Sequence, residues 1–169
     1  MSNQLQNVIK QQQEQTNGLG NNTDQKDDNI IQLVGFIVGN EEFAVPILSI
    51  QEIIKPIEWT KVPFTDDFVL GVFNLRGNVL PLIDLRRKFK ASEAEFDDDA
   101  RFIVIKVGDE LAGFVIDRLT EALRIESNSI LPPPDTSMER DAVIEGIARK
   151  DDRIITILKI NSLLKINNG

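Results

Sequence analysis

The chain of 169 residues contains no cysteine, no histidine, no tyrosine and a single tryptophan. Each absence removes a class of chemistry. Without cysteine there is no disulfide, no thiolate metal site and no thiol nucleophile. A disulfide-free chain fits a reducing compartment. Without histidine and tyrosine the commonest general base and a frequent phenolic acid–base group are missing. One tryptophan and no tyrosine argue against a platform on which bases stack. No apolar run approaches the ~20 residues that span a bilayer. The amino terminus lacks the apolar stretch of a signal peptide. It begins Met1-Ser2, without the glycine that N-myristoylation requires. A soluble cytoplasmic protein is the expectation.

Motifs of catalysis and phosphate binding are also missing. There is no G-x-S-x-G, no H-E-x-x-H and no G-x-x-x-x-G-K-[ST]. Gly18-Leu19-Gly20 starts a glycine pattern that Asn21-Asn22-Thr23 breaks. The run Asp97-Asp98-Asp99 lacks the glycine and twelfth-position glutamate of a calcium loop, and reads as a solvated turn. The net charge is −8 and the isoelectric point near 4.6, the wrong sign for neutralising phosphates. No nucleic-acid partner, metal or cofactor is expected.

What is present is a core: 41% of the residues are hydrophobic. The clearest local signal is Gly71-Val-Phe-Asn-Leu-Arg-Gly-Asn-Val-Leu-Pro-Leu-Ile-Asp-Leu85, two apolar runs around a glycine. Glycine at the first central position of a two-residue loop, Gly77-Asn78, predicts a type II′ hairpin. That register places Arg76 opposite Val79 and Leu75 opposite Leu80. Side chains alternate between faces along a strand. One face then carries Phe73, Leu75, Leu80 and Leu82, a core. The other carries Val72, Val79, Pro81 and Ile83 around Asn74 and Arg76, too apolar for a solvated face. Another part of the chain or a partner is expected to cover it. Arg76 itself reads in two ways: a solvated charge beside a turn, or the centre of an interaction hot spot.

Residues 1–29 are dominated by Gln and Asn and carry few large apolar side chains. They cannot bury enough surface to offset ordering entropy, and a disordered extension is expected. Order is expected from residue 30. Strands are read over 32–38 and 41–45, with a helix after Pro46 that carries Ile47, Ile50, Ile53 and Ile54 at helical spacing. Further strands are expected over 101–107, 111–116, 144–149 and 153–160, and a strand or short helix over 119–125.

The halves repeat one another. Gly39-Asn40-Glu41 and Gly108-Asp109-Glu110 each open a hairpin, Glu52 and Glu121 stand among apolar residues 69 positions apart, and 71–85 matches 146–160. Repetition at fixed spacing indicates repeated structural units. About five short strands per half predict a mostly β fold of two small, related β-barrels side by side, with short helical turns. Whether strands are exchanged between them is left open. The copies differ where Arg76-Gly77 aligns with Asp151-Asp152. Glu52 and Asp84, both flanked by apolar residues, are the carboxylates to consider for acid–base work, against a structural reading in which each caps a turn or pairs with an arginine.

At these residues the sequence resembles the CheW family of chemotaxis coupling proteins. Residues 71–86 resemble the family's signature hairpin, Phe43-Ala-Val-Pro-Ile and Ile50-Gln-Glu-Ile-Ile the segment before it, and Phe114-Val-Ile-Asp-Arg and Ile144-Glu-Gly-Ile-Ala the second half. The resemblance spans roughly 30–166, and the CheW-like domain is placed at 30–167. It implies two SH3-like barrels and a scaffold without catalysis. The implied partners are the helical cytoplasmic tip of chemoreceptors, which would lie in the groove between barrels, and the regulatory domain of the CheA histidine kinase. By motif position Arg76 would be the receptor-coupling arginine, Ile50 and Glu52 groove-lining residues, and Gly71, Asn74, Leu75 and Gly77 members of the same signature. Lys159 departs from the acidic residue often found there. CheV adaptors carry the same domain fused to a receiver; with none after Gly169, a lone CheW is the preferred reading.

Overall fold

The structure is a computed structural model and describes residues 6, 9, 29–91, 95–133 and 142–164. Ten strands run β1 (Ile30–Val38), β2 (Glu41–Pro46), β3 (Ile50–Ile54), β4 (Val69–Leu75), β5 (Asn78–Asp84), β6 (Arg101–Val107), β7 (Glu110–Ile116), β8 (Arg118–Glu126), β9 (Ile144–Lys150) and β10 (Arg153–Leu158). Two single-turn helices, α1 (Leu85–Lys88) and α2 (Ile160–Leu163), follow β5 and β10. The helix expected after Pro46 is absent: Ile47–Ser49 is one 3-10 turn and β3 begins at Ile50. β-branched isoleucines favour a strand, and helical spacing over so short a run does not separate the two states.

The strands form two open sheets, ordered β8-β1-β2-β10-β9 and β3-β6-β7-β5-β4. Each takes strands from both halves of the chain. The β1–β2 hairpin joins β8, β9 and β10, and its counterpart β6–β7 joins β3, β4 and β5. Each crossing hairpin is held by one antiparallel pair, β1 with β8 or β6 with β3, and one parallel pair, with Ile157 opposite Ala44 in one sheet and Leu82 opposite Gly113 in the other. These positions correspond under the duplication, with 69 positions separating Ala44 from Gly113 and 75 separating Leu82 from Ile157. Even a register irregularity repeats, between Val69 and Gly71 on β4 and between Ile157 and Leu158 on β10, where Ile83 meets Val69 and Leu158 meets Ile144.

The sheets are not closed barrels, so the expected SH3-like closure is corrected. The end strands β3 and β4 are not paired with each other, nor are β8 and β9. Their open edges are guarded instead. Thr60 exchanges two backbone hydrogen bonds with Val72 beside β4, at 2.8 and 2.9 Å, and Leu131 does the same with Ile147 beside β9. A connecting segment thus satisfies part of each edge, which is how sheets avoid pairing with foreign strands.

Most strands are buried on both faces. Phe102, Val104 and Val115 point with Phe73 and Leu82 into a small core wrapped by one sheet. Leu33, Ala44, Leu123, Ile155 and Ile157 fill the equivalent core of the other. The alternate residues, among them Val34, Phe36, Phe43, Ile103, Ile105 and Phe114, meet in a third and largest core between the sheets. Hence strands such as Phe102-Ile103-Val104-Ile105 are apolar throughout rather than alternating.

One buried ion pair ties the halves together. Arg86 on α1 binds Asp117, between β7 and β8, with both Nε and a terminal guanidinium nitrogen 2.6 Å from Oδ1. The other Asp117 oxygen accepts the Gly39 N–H at 2.8 Å. The Arg86 guanidinium also lies 4.6 Å from the centre of the Phe96 ring. Asp117→Ala removes the carboxylate that binds both the buried Arg86 guanidinium and the Gly39 N–H, and is expected to cost about 3 kcal/mol, read as a lower urea midpoint at unchanged slope.

A candidate contact site at the β4–β5 turn

The central hairpin turns one residue earlier in the chain than its glycine predicts. Leu75 pairs with Asn78, Asn74 with Val79, Phe73 with Leu80 and Val72 with Pro81. The central turn residues are therefore Arg76 and Gly77, both left-handed, at φ 52° and 87°. Two left-handed central residues make a type I′ turn, whose twist matches the flanking strands. The expected type II′ turn over Gly77-Asn78 is thereby corrected. Asn74 supplies the reason: its Oδ1 accepts the Gly77 N–H at 2.9 Å and holds the turn over Arg76-Gly77. Asp151 and Asp152, at φ 50° and 66°, make the same turn in the sister hairpin.

The shift moves the register by an even number of residues, so the two faces survive. Phe73, Leu80 and Leu82 are buried and Leu75 is half-buried against them. On the other face the inner end is covered by the chain itself, since Ile83 belongs to the inter-sheet core. The outer end is open: Val79 is 66% exposed beside Asn74 and Arg76, both exposed. Arg76 sits at the turn itself rather than on the strand.

Glu52 meets Arg76. Its Oε2 accepts from the guanidinium at 3.1 Å, with the Arg76 side chain 78% exposed and that of Glu52 21%. Glu52 is on β3 and Arg76 on the β4–β5 turn, so the pair bridges the two ends of one sheet. Glu121, its counterpart on β8, bonds Arg153 of β10 and lies 3.6 Å from Lys150 of β9. Both sheets thus carry a clasp across the open seam, made to equivalent glutamates by arginines at non-equivalent positions. Arg153 also reaches Glu42 at 3.4 Å.

The remaining sequence-derived residues divide. Gly71 is structural: at φ 153° a Cβ there would lie 2.0 Å from the Thr60 carbonyl oxygen, so only glycine admits the edge-guarding segment. Ile50 does not line an open groove. It is 1% exposed in the inter-sheet core, because its side chain points to the face of β3 that the other sheet covers. Asp84 caps α1, accepting from the Arg86 N–H at 2.9 Å with Arg87 at 3.6 Å. Burial raises its carboxyl above the ordinary range. The structural readings of Glu52 and Asp84, an arginine partner and a turn cap, are the ones observed. Sequence reasoning missed Ile57 and Trp59. They are exposed on the segment after β3 and border an open hollow with Pro56, Glu58 and Asn74. The Trp59 ring packs edge-on at 6.2 Å against Phe102. The lone tryptophan of the chain was the available signal.

A charged turn tip beside exposed apolar side chains, on a duplicated two-sheet body with exchanged strands, defines a module that presents surface. Among the described residues no three His, Cys, Asp or Glu side chains group as metal ligands, and no helix is long and apolar enough to cross a membrane. Comparison with known proteins identifies the module. The profile of the CheW-like domain matches residues 32–167, and the chain belongs to the CheW family. It is 46% identical over 165 residues to the chemotaxis protein CheW of Helicobacter pylori, covering 98% of each chain. It is 30% identical to CheW of Bacillus subtilis, covering 79% of this chain and 86% of that one. The scaffolding protein TtCheW from Thermoanaerobacter tengcongensis superimposes with a TM-score of 0.77 at 34% identity, covering 82% of this chain and 90% of that one.

Two outcomes are expected. Gly71→Ala should cost about 3 kcal/mol or more, and Gly77→Ala, with open space around its Cβ, only about 1–2 kcal/mol, compared by chemical denaturation. The hydrogen bond from Arg153 lowers the Glu121 carboxyl below its usual 4.5. A depressed folded-state value gives stability that is present above 4.5 and lost as the pH falls through the folded value. Melts of Glu121→Gln across the acid range should therefore show a shallower loss of Tm below that pH than the parent chain.

Proposed function

We propose that this chain is a non-catalytic chemotaxis scaffold that couples the cytoplasmic tips of chemoreceptors to the regulatory domain of the CheA histidine kinase. Membership of the CheW family supports the reading. The observation that carries it is the exposed Arg76 tip, on a hairpin where Val79 is exposed opposite Asn74 and Asn74 borders the hollow lined by Ile57 and Trp59. Arginine and tryptophan in exposed apolar surroundings are the composition of interface hot spots. Gly71, Asn74, Leu75 and Gly77 shape the hairpin that presents Arg76, and Glu52 orients its guanidinium. Work by contact suits a protein that lacks histidine, cysteine and tyrosine. The protein would act in the cytoplasm, near the membrane only through receptors. Individual contacts of about micromolar strength, roughly −8 kcal/mol, suit a signalling scaffold, with arrays adding multivalency.

Co-sedimentation with receptor-bearing membranes, with and without the kinase, tests the proposal, and retention by neither partner overturns it. Arg76 has its own test. Arg76→Glu should abolish kinase activation while costing no more than about 1 kcal/mol of stability, as expected of an exposed pair. The charge swap Arg76→Glu with Glu52→Arg restores the clasp but not the surface charge. Kinase activation should stay low in the swap; full recovery would make Arg76 a structural strut instead.

A further inference from the structure

In the extension expected to be disordered, the structure describes only Gln6 and Ile9 among residues 1–28, and the Gln6 side chain donates from Nε2 to the Ile53 carbonyl oxygen at 2.8 Å. The other residues up to 28 lie outside the described ones. A second polar side chain that leaves solvent is Lys88, the last residue of α1. Lys88 is half-buried, and its Nζ lies 4.3 Å from the centre of the Phe68 ring. Phe68 itself packs against the inter-sheet core. One side of the ammonium is thus turned to an apolar wall rather than to water. Desolvation pulls this ammonium below the ordinary lysine range, and the Asp66 carboxylate opposes the shift. Asp66 is an incomplete counterion: its Oδ2 is shut from solvent and has no hydrogen-bond partner.

The chemistry that this placement allows belongs to the amine, not to the ammonium. An exposed lysine is almost wholly protonated near neutrality and then has no lone pair to donate. Taking water from the charged form raises the share of free amine, which is how apolar surroundings activate a lysine nucleophile. Half-burial leaves the nitrogen within reach of a small molecule. The flanking charges are positive. Arg87 is exposed, 3.6 Å from Asp84 and donating to the Asp67 carbonyl oxygen at 3.2 Å, and Lys90 is exposed two positions on. Cations on both sides of an amine favour an electrophile that carries negative charge.

We propose that Lys88 is a modification site, acylated by a small acyl phosphate. The ammonium first gives one proton to solvent. The nitrogen lone pair then forms a bond to the acyl carbon, and the bond from that carbon to the phosphate oxygen breaks. Phosphate leaves with the bonding pair and carries away the second amine proton, so the products are an amide and inorganic phosphate. The amide is neutral, so the contact with Phe68 and the attraction to Asp66 are both lost. Those two residues stand at the entrance to β4. The Val69 N–H donates to the Asp66 carbonyl oxygen at 2.9 Å, and the Asp84 N–H at the end of β5 donates to the Phe68 carbonyl oxygen at 2.8 Å. Acylation therefore loosens the segment that enters the central hairpin. The inference is independent of the coupling reading, and its test needs neither receptor nor kinase.

The test treats the full chain with a limiting amount of acetyl phosphate and follows each lysine by mass spectrometry. Chymotryptic cleavage after Phe89 separates Lys88 from Lys90, which serves as the exposed control in the same molecule. Lys88 should be acetylated about five-fold faster than Lys90, and its rate should level off at a lower pH. Phe68→Ala opens the ammonium to water and should bring the Lys88 rate down to that of Lys90. Asp66→Asn removes the carboxylate that holds the proton and should raise the Lys88 rate about two-fold while leaving Lys90 unchanged. Should Phe68→Ala fail to melt cooperatively, Asp66→Asn decides by the same readings. A Lys88 rate no greater than that of Lys90, or levelling at the same pH, overturns the proposal. Acetylation by acetyl coenzyme A but not by acetyl phosphate overturns the assignment of the donor. Hydrogen exchange at Val69 and Asp84 should quicken in the acetylated protein, and unchanged exchange overturns the loosening of the segment.

Discussion

Everything in this molecule depends on the core between the two sheets. Each sheet wraps a small core of its own, and neither small core approaches the size of the one they share. Short open sheets have little stability alone. Burying their second faces against each other supplies what each lacks, and the strand exchange makes that contact unavoidable. Because β1–β2 and β6–β7 each cross to the sheet built by the other half, neither half can fold to completion by itself. The Arg86–Asp117 pair reinforces the junction: an arginine following β5 meets an aspartate between β7 and β8, which in turn holds the β1–β2 turn at Gly39.

With both faces of most strands committed to cores, function is pushed to turns, edges and connecting segments. The Arg76 tip is such a place, and so are Ile57 and Trp59. The duplication clarifies what is structural there and what is particular. Both hairpins use a type I′ turn, both end sheets carry an edge-guarding segment, and both equivalent glutamates bind an arginine. The arginines differ. In the second copy the partner is a strand residue, and the turn tip carries two aspartates. In the first copy the turn residue itself is the arginine, so a structural clasp and an exposed cationic tip are one side chain. A tip of opposite charge on the sister hairpin gives the two ends of the molecule different surfaces on the same framework.

The extent to which this was legible follows from the range of each interaction. The division of Phe73, Leu75, Leu80 and Leu82 from Val72, Asn74, Val79 and Pro81 was readable, because it depends only on the two-residue period of a strand. The turn type was not. Glycine at 77 suits either of two registers, and the choice was made by the Asn74 side chain reaching the Gly77 amide. The pairing of Glu52 with an arginine was a reasonable reading of an acid among apolar residues; which arginine required the sheet to curl. Ile50 looked available to a partner from its place in a motif, and was buried by a sheet whose approach no local pattern records.

The amino-acid sequence by itself determined the β class, the duplication and the hairpin faces, and it excluded cysteine, histidine and tyrosine chemistry outright. These follow from composition, period and repeat spacing, which are properties of short segments. The tertiary structure alone decided the exchange of strands, the open seams with their clasps, and the hydrogen bond from Gln6 to Ile53 on a strand far along the chain. The physical reason is common to all three. Each is a choice among partners of similar local chemistry, settled by which arrangement buries both faces of both sheets at once.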